Sequence, residues 1–72
     1  MSQWNYRIMK KLNDSNEYEF GIYEVYYDEN GNINGWTDNS LTPTCSSEED
    51  LLHEFEMMKQ AFAKETLLYK ET

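Results

Sequence analysis

Seventy-two residues, 39% apolar and 15% aromatic, carry a formal net charge of −8, which bounds the chain to one domain over residues 1–72 with a small, ring-rich core. No apolar run approaches the roughly 20 residues of a membrane-spanning helix, and a field of this sign repels nucleic acid. The charge is also segregated: between Leu12 and Met58 lie twelve acids and no Lys or Arg, while Arg7, Lys10, Lys11, Lys59, Lys64 and Lys70 stand outside that span. Such a surface keeps a protein soluble and attracts basic partners.

Met1–Trp4 has no basic segment followed by an apolar one, and the single Cys45 has no partner for an internal disulfide. Both point to a reducing, cytoplasmic setting. The first element is a strand over Trp4–Leu12, where Trp4, Tyr6 and Ile8 alternate with Asn5 and Arg7. Asn13-Asp14-Ser15-Asn16 is a run of turn formers. The hairpin it implies brings Arg7, Lys10 and Lys11 near Glu17 and Glu19.

The central strand, Glu17–Tyr27, has high β propensity. Its apolar phase is Tyr18, Phe20, Ile22 in one half and Tyr23, Val25, Tyr27 in the other, which a strict two-residue period cannot keep on one face. Either a bulge near Tyr23 re-phases it, or the sheet carries apolar side chains on both faces, the reading adopted. Asp28-Glu29-Asn30-Gly31 suits a type I turn with Gly31 at positive φ. If Asp28 faces Asn32, Tyr27 pairs with Ile33, Val25 with Gly35 and Glu24 with Trp36. Trp36 then shares a face with Tyr26, and Gly35 leaves room for a neighbouring ring. The third strand runs about Asn32–Asp38.

Pro43 interrupts pairing in the connection that follows. Ser46-Ser47-Glu48-Glu49 fits a capping box between Ser46 and Glu49, opening a helix from Ser47 to about Ala63. Leu51, Phe55, Met58 and Phe62 form its apolar stripe, with Glu54, Glu56, Gln60 and His53 away from it. Beyond Lys64, residues 65–70 read as a short strand or extended tail. The fold class is α+β: a three-stranded antiparallel meander, one amphipathic helix packed on one face, and a short C-terminal strand, in the order β-β-β-α-β.

Chemistry is sparse. Cys45 and His53 are too few for a closed zinc site. Asp28–Asn39 places neither the glycine nor the final acid of a calcium loop. No phosphate-cradling loop is present, and Cys45 has no paired base, so no catalytic residue, metal or cofactor is expected. The aromatic residues exceed what one helix covers on one face, which suits a protein interface. Glu24, Tyr26, Asp28, Glu29, Trp36 and Asp38 are the expected partner-binding residues, the acids steering and the rings docking.

Three strands followed by Ser-Ser-Glu-Glu-Asp-Leu opening an amphipathic helix resembles the N-terminal domain of HicB-like antitoxins. That resemblance implies a three-stranded sheet, a helix and a short final strand. Trp4-Asn5-Tyr6-Arg7, Glu24-Val25-Tyr26-Tyr27-Asp28 and Gly35-Trp36-Thr37 are also similar to segments of small, uncharacterised bacterial proteins. The expected function is a small acidic protein-binding module, whether inhibitor, antitoxin-like or accessory, that occupies a basic surface of a protein partner. A homodimer through the aromatic sheet face and a nucleic-acid mimic are the alternatives.

Overall fold

The computed structural model describes residues 3–70. Strands β1 (Gln3–Leu12), β2 (Tyr18–Tyr27) and β3 (Ile33–Trp36) are followed by helix α1 (Glu48–Met58), a 3-10 turn (Lys59–Ala63) and the two-residue strand β4 (Leu67–Leu68). The sheet order is β3-β2-β1-β4. The first three strands form the expected antiparallel meander, and β4 adds to the far edge of β1 in parallel. The segment between β3 and β4 therefore carries α1 across the sheet from one edge to the other.

The two hairpin turns share one construction. At each, an Asx side chain accepts from the amides two and four residues on: Asn13 from Ser15 and Glu17, Asp28 from Asn30 and Asn32, each at 2.9 Å. The fourth residue then takes the left-handed region, Asn16 at φ 64° and Gly31 at φ 81°. This side-chain bonding is what makes Asn and Asp turn formers. It also occupies the Asp28 carboxylate within the loop itself.

The ladder from β1 to β2 runs without a break from Gln3↔Tyr27 to Leu12↔Tyr18. No bulge re-phases β2 in this ladder, so its two apolar sets stand on opposite faces. Lys11 lies opposite Glu19 as expected. Arg7 does not reach Glu17 or Glu19; it faces Tyr23 and donates to the Tyr27 hydroxyl (3.0 Å) and the Glu65 carbonyl (2.8 Å).

Pairing of β2 with β3 corrects the expected register. Tyr27 faces Ile33, but Tyr26 faces Gly35 and Val25 faces Trp36, with an irregularity between Tyr26 and Tyr27. Asn34 is the extra residue, and one extra residue transfers every later side chain to the other face. Trp36 therefore shares the face of Val25, not that of Tyr26. A Cβ at Gly35 would meet the Tyr26 ring at 4.0 Å, an ordinary contact, so the ring does not demand glycine there. The close approach is at Gly21, where a Cβ would meet Ser40 Cβ at 2.7 Å.

On the face shared by Val25 and Trp36, Met9, Tyr23 and Val25 form a buried cluster, packed by Tyr27, Trp36, Leu67 and Tyr69. Tyr69 reaches from the β4 edge to Tyr23 (ring centroids 5.5 Å) and Trp36 (5.8 Å), and its hydroxyl donates to the Asp38 carbonyl at 3.0 Å. Two strands lie between β4 and β3, so the sheet must curl toward this face, in line with the twist of short sheets. The chain's own rings cover this face.

The helix packs on the other face and sits rotated from its expected stripe. Met58 is 3% exposed and Ala61 fully buried, whereas Phe55 is 53% and Phe62 68% exposed. On the strands Phe20 and Ile33 are exposed as well, whereas Val25 is fully buried. The tightened turn after Met58 explains Phe62. Four residues at 3.6 per turn leave it about 40° from Met58, but at three per turn it swings to about 120°. Ala61 takes the inward position, where its small side chain permits close approach. The N-cap is Ser47, which accepts from the Asp50 amide at 3.1 Å, one residue later than the Ser46 cap expected.

Candidate functional site

A cleft opens between α1, the connection after β3 and the helix-bearing face of the sheet. Tyr6 and Glu24 are direct cross-strand neighbours, which places both side chains on that face. Glu54 descends onto them from α1, three residues after Leu51 and four before Met58, and Tyr6 donates its hydroxyl hydrogen to Glu54 Oε1. Glu54 was expected on the solvent side of the helix, yet it is half-buried against the sheet. Tyr26 donates to Glu24 Oε1 at 3.0 Å.

The walls come from the connection. The Leu41 amide donates to the Ile22 carbonyl at 2.9 Å, which ties this segment beside β2. Pro43, half-buried, stiffens the chain as it turns toward the helix. Leu41, Pro43 and Met58 supply apolar surface, Glu24 and Glu54 the charge, and Cys45 stands at the margin, in a cleft of about 240 Å³. No Lys or Arg lines it.

Its electrostatics are those of an anion pair facing a phenol. Burial, then the hydrogen bond to Glu54, then the negative field of Glu54, Glu24 and Cys45 push the Tyr6 phenol up to about 12. The Tyr26 phenol is also raised, first by its hydrogen bond to Glu24. Each hydroxyl stays protonated and donates to a carboxylate, so both carboxylates keep acceptor capacity on their open sides.

The arrangement suits a cation with an alkyl stem. Among the described residues no three of His, Cys, Asp and Glu converge as metal ligands, and His53 is not among the residues lining the cleft. No helix among the described residues is long and apolar enough to cross a membrane.

The six expected partner-binding residues do not form one surface. Glu24 and Tyr26 stand together at the cleft side of the sheet. Trp36 lies on the opposite face against Tyr69, and Asp38 joins that side through its backbone carbonyl. Asp28 and Glu29 sit in the β2–β3 turn. Tyr6, Glu54 and Tyr69 were not singled out. Spacing alone did not single out Glu54: it and Phe55 lie about 50° to either side of the Leu51–Met58 line. Comparison with protein-family models, with curated proteins and with solved structures finds no match.

Proposed function

We propose that the chain is a small acidic protein-binding module that acts by occupying a basic surface of a partner, as an inhibitor, antitoxin-like protein or accessory subunit does. The observation that carries this reading is the Glu24–Glu54 cleft: two carboxylates oriented by tyrosine hydroxyls, apolar walls, and no Lys or Arg among the residues lining it. Its volume of about 240 Å³ accommodates a lysine or arginine side chain. The wider field adds steering, since twelve acids and no base lie between Leu12 and Met58.

An oligo-arginine peptide titrated into the purified protein tests it. Glu24→Gln with Glu54→Gln should weaken binding by about tenfold or more. Glu17→Gln with Glu19→Gln removes the same charge elsewhere and should have a small effect that vanishes at high salt. Equal losses in the two double variants would show a diffuse field and no docking cleft.

A further inference from the structure

The helix covers only part of its sheet face. By the β1–β2 register, Leu12 and Tyr18 are neighbours, as are Lys10 and Phe20, all on the face that carries Tyr6. Leu68, paired in parallel with Lys10, shares it. Leu12, Tyr18, Phe20 and Leu68 are exposed there, Phe20 at 66%, while the Lys10 ammonium lies over the Tyr18 ring at 4.9 Å. The helix adds a second strip. Met57, Gln60 and Lys64 face Trp4 at the other end of the sheet, so by helical geometry the opposite flank, with Leu52, Phe55 and Phe62, turns toward this open end. All three are exposed.

We propose that this open end seats a second copy of the chain, the helix flank of each protomer lying on the sheet end of the other about a two-fold axis. The proposal goes beyond the basic-partner reading and uses a different surface. Area supports it. The accessible surface is 5826 Å² for 8.6 kDa, against roughly 4,700 Å² for a compact monomer. The chain thus carries more surface than a compact monomer of its mass, and a standard interface takes roughly 800 Å² from each partner.

Charge selects the occupant. Leu52 lies between Glu48 and Glu56 at helical spacing, whereas the sheet end carries Lys10 and, beyond Leu68, Lys70. Lys59 on the helix flank and Glu17 at the sheet end give the reverse pair. A two-fold arrangement brings each strip against its complement twice. The net charge of −8 then opposes association through a long-range field that salt screens, while Glu17, Glu48 and Glu56 within the contact are each set against a lysine of the other copy.

Sedimentation equilibrium across protein concentration, at about 0.15 M and about 1 M salt, reads the outcome. The wild-type chain should be a dimer at both salts, since apolar burial is not screened. Phe20→Glu and Phe62→Glu should each weaken dimerisation roughly thirtyfold or more, the scale of an interface hot spot. Both sites are exposed, so circular dichroism of the monomers should stay native. Lys10→Glu should be monomeric alone, as should Glu48→Lys with Glu56→Lys, and an equal mixture of the two chains should heterodimerise. Glu24→Gln with Glu54→Gln should remain dimeric, which separates this proposal from the cleft. A monomer at every concentration, a dimer indifferent to both phenylalanine changes, or a mixture that does not pair would overturn it.

Discussion

Met58→Ala and Phe55→Ala separate the observed helix orientation from the one the apolar spacing implies. Met58 is 3% exposed and Phe55 53%. Truncating a fully buried methionine removes its transfer free energy and leaves a cavity, together about 2–5 kcal/mol. Phe55 already shows half its surface to water, so its truncation forfeits about half of a buried ring's transfer term, roughly 1 kcal/mol. Urea denaturation followed by circular dichroism measures both. At a slope of about 1 kcal/mol per molar for so small a domain, the Met58 variant should lose roughly 3 M of midpoint. If total stability is near the low end, about 4 kcal/mol for this length, it will be partly unfolded without denaturant. Met58→Leu, nearly isosteric, should cost less than about 1.5 kcal/mol and keeps the comparison measurable. Protein concentration must be varied, because an associating chain gains stability with concentration. A Phe55 loss equal to the Met58 loss at the lowest concentration would refute the orientation.

Ser47→Ala should lower the melt by about 1 kcal/mol, while Ser46→Ala should stay within about 0.5 kcal/mol; the reverse result would move the cap back to Ser46. Gly31→Ala should cost about 1–2 kcal/mol by forcing a Cβ into the left-handed region, whereas Asn16→Gly should be neutral or stabilising by a few tenths of a kcal/mol, both read from thermal melts. The Tyr6 phenol, raised from 10.0 to about 12, favours the folded state fully below pH 10, and this contribution is lost as pH rises through 12. Solvent at the open side of the cleft discounts it to about 1 kcal/mol, and Tyr6→Phe should remove that part of the alkaline loss of stability.

Local chemistry was legible in the sequence and its phase relations were not. Both hairpins followed from Asn13 and Asp28, whose side chains fold the loop by themselves. The two-faced character of β2 followed from its broken alternation. The face of Trp36 did not, because a bulge at Asn34 depends on how two strands settle against each other. The cap was ambiguous by construction: Ser46 and Ser47 each have an acid three residues on, Glu49 and Asp50, and only the chain's entry angle selects Ser47. The helix phase was misjudged for two reasons. Phe62 falls in the 3-10 turn from Lys59, where a spacing of 3.6 no longer holds. Within α1 the spacing sets Glu54 and Phe55 equally far from the line of Leu51 and Met58, so hydropathy assigned the inward place to Phe55. The cleft escaped notice for the second reason, since the inferred phase set Glu54 toward solvent.

The open end is a consequence of dimensions. Strands β1 and β2 have ten residues each, about 33 Å at strand rise, while a helix carried across the sheet from edge to edge covers only about its own width of them, roughly 10 Å. It does so beside Trp4 and Tyr6, where Met58 and Ala61 close the contact. The aromatic face needs no helix because Tyr69 crosses it, but among the described residues no comparable side chain returns over Leu12, Tyr18 and Phe20. The fully buried apolar side chains among the described residues are split by the sheet, Met9, Tyr23 and Val25 on one side and Met58 and Ala61 on the helix side. Neither cluster is large. Burying the open end against another chain would enlarge the smaller cluster without touching the cleft, so folding stability and association draw on the same rings. On that proposal the phenylalanines at positions 20 and 62, which solubility alone would disfavour, extend the core across the interface once a second surface covers them.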